Sequence, residues 1–120
     1  MINIKTEIVQ ALEGNPTLIS LLGGNRIYQI KAPDATEFPR ITFFQVDNFD
    51  SNFADDTAIA SEILIQIDIW HKSSTTTIAQ EVDKTMKSLG FRRTSSTDLY
   101  EEDTQIFHTV MRYITTREVV

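Results

Sequence analysis

A chain of 120 residues with 41% apolar side chains and a formal net charge of −6 has the size and composition of one domain, residues 1–120, built around one modest core. It contains no cysteine, which excludes disulfide staples, thiolate ligands and cysteine nucleophiles; its acidity argues against a surface that grips nucleic acid by neutralising phosphates. The opening residues MINIKTEIVQ lack a basic region followed by an apolar run, and no segment approaches the roughly 20 apolar residues of a membrane span, so a soluble, unprocessed chain is expected, with no membrane partner.

In chain order, Asn3 can cap a helix whose Ile4, Ile8, Ala11 and Leu12 share one face, with Gly14 placed to end it. Asn15-Pro16 reads as a second cap with proline at the first helical position, after which Leu18, Ile19, Leu21 and Leu22 make an apolar turn or two before Gly23-Gly24. Residues 26–30 suggest a short strand. Ala32-Pro33 and Phe38-Pro39 then bracket a loop, because each proline biases the residue before it toward extended backbone. The next strand is Ile41 to Val46, apolar on both faces.

From Asp47 to Ala60 the periodicity is lost, and a long, mobile hairpin loop is expected there. Its Asp47, Asp50, Asp55 and Asp56 raise a calcium site, but neither the glycine nor the glutamate that an EF-hand loop requires is in place. Phe49 and Phe53 are either tucked onto the core or offered to another chain. Ser61 to His71 follows as the central strand: isoleucine at 63, 65, 67 and 69 has the period of a strand with one buried face. Its other face, Glu62, Leu64, Gln66, Asp68 and Trp70, is a mixed surface that a neighbour or a partner can cover.

The second main helix runs from about Thr75 to Leu89, on Ile78, Val82, Met86 and Leu89. Its cap is either a Thr77/Gln80 capping box or Ser74 or Thr75. Phe91 to Thr94 restarts extended structure, Ser95 to Asp98 breaks it, Leu99-Tyr100 resumes it, and Glu101-Glu102-Asp103 is a turn. Gln105 to Thr116 is the last strand, with Ile106, Val110 and Ile114 on one face and Phe107, Met111 and Tyr113 on the other. The order α-β-β-β-α-β-β implies an α+β fold, a mainly antiparallel sheet with two main helices packed on one face.

Catalytic chemistry finds little support. His71, His108 and Asp68 invite a base and its orienter, or two metal ligands, yet Asp68 and His71 lie three apart on one strand and point to opposite faces. No GxSxG, HExxH, P-loop or GxGxxG spacing occurs, and the serines and threonines of 73–77 and 94–97 fit caps and turns. No enzyme, cofactor or metal is expected. What remains is an acidic subunit that buries surface against other subunits, with Phe49, Phe53, Asp50, Asp55, Asp56, Leu64 and Trp70 as its candidate interface.

The segments LISLLGG (18–24), RIYQIKAP (26–33), FPRITF (38–43), IQIDIW (65–70), LGF (89–91) and HTVMRY (108–113) occur in an order and spacing that covers most of the chain. In these the chain resembles the tail completion proteins of bacteriophages with long, non-contractile tails, also called tail-to-head joining proteins and related to tail terminators. The resemblance implies a virion protein that forms a ring of its own copies, six-fold, on the end of the tail tube. That ring ends tube growth and joins the head connector, after assembly in the host cytoplasm. DNA would pass through its channel, which an acidic lining suits. Two alternatives stay open: another phage tube or neck subunit of the same build, and a small ligand-binding domain or enzyme holding His71 or His108 in a cleft.

Overall fold

Ile63, Ile65, Ile67 and Ile69 are all completely buried, and the side they point to is the side that the helices cover. Each such side chain contributes on the order of 1.5–3 kcal/mol when removed from water, so this alternation orients the whole sheet. The computed structural model describes residues 1–118. Among these, the elements are α1 (Lys5–Glu13), α2 (Pro16–Leu22), β1 (Ile27–Gln29), β2 (Arg40–Ala54), β3 (Thr57–His71), α3 (Thr76–Ser88), β4 (Arg92–Glu101) and β5 (Ile106–Glu118). The five strands form one sheet in the order β1-β2-β3-β5-β4, antiparallel except for the β1–β2 pair. The fold is the expected α+β arrangement, with β3 at its centre.

Helix ends follow local chemistry closely. The N-cap of α1 falls on Ile4, which makes no side-chain cap, rather than on Asn3, whose Oδ1 accepts from the Lys5 amide at 3.1 Å from one position further out; α1 buries Ile8 and Leu12. Asn15 caps α2 by accepting from the Leu18 amide at 3.1 Å, while its side-chain amide donates to Thr85 Oγ1 at 3.1 Å and so ties α2 to α3. Gly23, at φ +77°, closes α2 in the left-handed region that glycine enters freely. α2 is thus a helix in its own right. α3 begins at Thr76, which places Thr77 inside the helix and rules out the Thr77/Gln80 capping box. Thr75 stands at the N-cap without capping, because its hydroxyl is hydrogen-bonded to Thr109 of β5 instead.

Two expectations are overturned, both because strand pairing overrode local composition. Residues 47–60 are not a loop: β2 and β3 continue paired out to Ala54 and Thr57, closed by a two-residue turn at Asp55-Asp56. Both aspartates have positive φ (50° and 61°), the backbone of a type I′ hairpin turn, which aspartate tolerates better than most residues. The pattern was hidden by a bulge and by the lack of a buried face beyond it. Gln45 pairs with Ile65 but Asp47 with Leu64, so Val46 is an extra residue and the inward-facing parity of β2 flips beyond it. Likewise Ser95 to Asp98 does not break β4, which runs through with its own bulge at Thr94, between the pairs Arg93–Tyr113 and Ser95–Arg112. Its ten residues are all exposed, so an edge strand covered on neither face reads as polar.

The sheet is locked to α3 through Asp83. Its carboxylate accepts from Tyr113 Oη at 2.8 Å and pairs with Arg93 Nη1 at 3.0 Å and Lys87 Nζ at 2.8 Å. Burial pushes the Asp83 pKa up, but the hydrogen bonds from Lys87 and Tyr113 and the charge of Arg93 outweigh it and leave the carboxyl below its ordinary value of 3.8. A depressed carboxyl contributes stability above its unfolded pKa and loses it as pH falls through the folded one. Asp83→Asn is therefore expected to be less stable than the native chain at pH 7, with the gap closing below about pH 4. Denaturant midpoints at pH 7 and pH 3 check this; an unchanged gap would contradict it.

Candidate assembly surface

The opposite face of the sheet carries no helix. Across its middle run Thr42 and Phe44 of β2, Leu64, Gln66, Asp68 and Trp70 of β3, and His108, Val110, Arg112 and Ile114 of β5, mostly half-buried against one another. The β2–β3 ribbon stays paired to β5 past the bulge, as far as Ala60 opposite Glu118, and only its outer end, residues 52–59, projects beyond β5 as an arm. Fifteen residues at roughly 3.3 Å each span about 50 Å, which matches the longest dimension of the molecule, 53 Å. Before it leaves the sheet, the ribbon is fastened by Asn48, which donates to the Ile2 carbonyl at 2.8 Å.

The structure separates the seven candidate interface residues into groups. Phe49 opposes Glu62 and Phe53 opposes Ala58, so both lie on the same side of the ribbon as Leu64 and Trp70. Phe49 and Phe53 remain 44% and 63% exposed, neither tucked onto the core, whereas Leu64 and Trp70 are half-buried. Asp50 opposes Ser61 and falls on the other side, and Asp55 and Asp56 form the tip. One continuous strip therefore joins the aromatic arm to the open sheet. Two sheet edges are also unpaired among the described residues: the outer edge of β4, and that of β2 beyond Phe43, where β1 ends.

The middle of the strip holds a polar network that sequence spacing did not suggest. The β3–β5 register sets Trp70 opposite His108, whose ring stacks on the indole with centroids 3.7 Å apart. His108 Nε2 lies 2.7 Å from Asp68 Oδ1; Gln66 Nε2 donates to the same carboxylate at 3.1 Å, and Arg112 Nε donates to Gln66 Oε1 at 3.0 Å. Trp70 Nε1 donates to Thr42 Oγ1 at 3.0 Å. Asp68 and His71 do face apart, but the histidine that matters to Asp68 comes from the neighbouring strand. His71 sits at the strand end, accepting from the Lys72 amide at 2.9 Å, and partial burial lowers its pKa. Such a lattice of aromatic and hydrogen-bonded side chains can present a rigid, shaped surface. No hydroxyl is hydrogen-bonded to His108, and no cluster of three metal-ligating side chains is found among the described residues.

At the end of the ribbon away from the tip, Arg40 opposes Trp70. Its guanidinium lies 4.6 Å from the Phe38 ring and 5.2 Å from the Trp70 ring, and Nη1 donates to the carbonyls of Ala35 at 3.0 Å and Glu37 at 3.3 Å. Sequence reading passed over it, since nothing local distinguishes a buried arginine from a solvated one.

No helix among the described residues is long and apolar enough to cross a membrane. A search among curated proteins gives no match. Among solved structures, a chain in the virion of a native gene transfer agent particle is similar in fold, with a TM-score of 0.66 over 92% of this chain and 91% of that one at 11% identity. The sequence model of the family described as tail completion protein gp17 matches residues 6–118. With three helices on one face of a mostly antiparallel sheet and a family match over nearly its whole length, the chain belongs to the tail completion protein gp17 family, structural proteins of the bacteriophage tail.

Proposed function

We propose that this protein forms a six-fold ring of identical copies on the end of the phage tail tube, ends tube growth there and presents the surface that meets the head connector. The observation that carries this reading is the family match across residues 6–118. A ring requires a heterologous contact, in which one patch meets a different patch on the next copy and the rotation closes. The chain offers unlike patches: an exposed aromatic arm, an uncovered sheet face and two unpaired edges. On this reading residues 1–120 act as one domain. Phe49, Phe53, Leu64 and Trp70 supply apolar contact and Asp50, Asp55 and Asp56 a polar rim.

Its partners are then its own copies, the tail tube protein and the head connector or stopper. DNA only passes through, since a net charge of −6 disfavours phosphate contacts. No reaction is performed: His108 is held between Asp68 and Trp70 and serves the surface rather than a substrate. The ring is assembled in the host cytoplasm and kept in the virion. Electron microscopy of tail tubes grown with and without the protein tests the proposal. A ring capping one end and uniform tube length are expected; tubes that bind no protein at their ends, or that grow on past it, would refute it.

A further inference from the structure

The two ends of the β2–β3 ribbon differ in charge: the tip is acidic only, whereas the lysines and arginines lie at the base. Between residues 41 and 71 there is no lysine or arginine, only Asp47, Asp50, Asp55, Asp56, Glu62 and Asp68. The basal end mixes Arg26, Lys31, Arg40 and Lys72 with Asp34, Glu37 and Asp68, and Glu101 is near enough to act on Arg40. Arg26 pairs with Glu37 at 3.3 Å, but none of the other three cations makes an ion pair among the described residues, and neither does Asp55 or Asp56 at the tip.

Arg40 is the unusual member. It is only 8% exposed, its Nε has no hydrogen-bond partner among the described residues, and its Nη1 donates to two carbonyls, with no carboxylate at ion-pair distance. A buried, under-satisfied cation costs stability unless something compensates it, and buried polar atoms left without partners are rare enough to call for an explanation. Burial lowers the Arg40 pKa, an effect that the more distant Asp34, Glu101 and Glu37 offset only in part. Arg40 also lines a depression of about 160 Å³ together with Lys31, Thr42, Trp70 and the 71%-exposed Ile30. A small site with cationic walls and an apolar rim suits a carboxylate that arrives beside an apolar group. The hairpin tip has that chemistry: Asp55 and Asp56 next to Phe53, which is 63% exposed.

We propose that the Arg40 depression receives the Asp55-Asp56 tip of a second copy of this chain, so that successive subunits join tip to base around the ring. The tip cannot reach the depression of its own chain, because the two lie at opposite ends of a molecule 53 Å long. The contact is therefore between copies and has a direction, as a closed ring requires. This inference rests on the ring reading above, and the experiment separates the two.

The chain has no cysteine, so introduced cysteines report cleanly. Thr57→Cys lies beside the tip without occupying a positive-φ position, and Lys31→Cys lies at the depression; both sites are exposed. On rings assembled at tail-tube ends, the double variant is expected to give a ladder of covalent multimers on oxidation. Thr57→Cys paired with Lys84→Cys, an exposed site on α3, should give none. Asp55→Asn with Asp56→Asn, which keeps side chains that tolerate positive φ and removes the charge, should diminish the ladder. A ring without the ladder, a ladder equal to that of the Lys84 control, or cross-links from the tip to the tube protein instead would overturn the contact while leaving the ring. A ladder indifferent to the asparagine substitutions would overturn the charge pairing. Absence of any ring would overturn both readings.

Discussion

Ile67→Ala will lower the stability of the fold by about 2–5 kcal/mol. Ile67 is completely buried at the middle of β3, opposite Phe43 of β2 on one side and Met111 of β5 on the other, all three on the face the helices cover. Deleting its outer carbons removes apolar contact and leaves a cavity. Neighbouring strands cannot close that cavity, because backbone hydrogen bonds hold β2, β3 and β5 at a fixed spacing. Chemical denaturation is the measurement, with the slope against denaturant checked for constancy so that the midpoint reports stability alone. A loss below about 1 kcal/mol would mean that the core relaxes more freely than close packing permits.

Phe49→Ser combined with Phe53→Ser will leave the isolated subunit almost as stable as the native chain but abolish its activity in tail assembly. Phe53 is largely exposed and Phe49 about half so, neither belongs to the buried core, and the ladder that holds the ribbon is backbone pairing. As anchors across an interface, buried aromatics contribute about 2 kcal/mol or more each, and in a closed ring the loss recurs at every contact. Phage titre beside a denaturation curve separates the two effects. An unchanged titre would mean that the aromatic anchors are elsewhere; a large fall in stability would mean that the arm is part of the folding unit.

The paired arm also changes the expected route of assembly. A disordered loop would have to be ordered on binding, at the cost of much of the interface energy. A ribbon already closed by the Asp55-Asp56 turn and fastened by Asn48 to Ile2 brings Phe49 and Phe53 in a defined arrangement. Preorganisation of this kind lowers the entropy lost on docking.

The elements and their inward faces were legible in the sequence because they rest on short-range periodicity. Alternating isoleucines from 63 to 69 mark the central strand, Ile78, Val82 and Met86 mark the buried face of α3, and the Asn15-Pro16 start and Gly23 stop delimit α2. The family was legible too, in the order of its apolar segments. Only the tertiary structure decided the rest. A single bulged residue, Val46, shifts the parity of everything after it, and beyond it β2 buries neither face, so its outer half looked aperiodic although it is paired with β3. A bulge has no composition of its own. The Asp68–His108–Trp70 cluster and the unpaired charge of Arg40 likewise exist only through registers between strands far apart in sequence, Trp70 against His108 and Arg40 against Trp70. Periodicity along one strand says which way a side chain points; which side chain it meets is settled by the pairing of the next strand, and that is a property of the folded sheet.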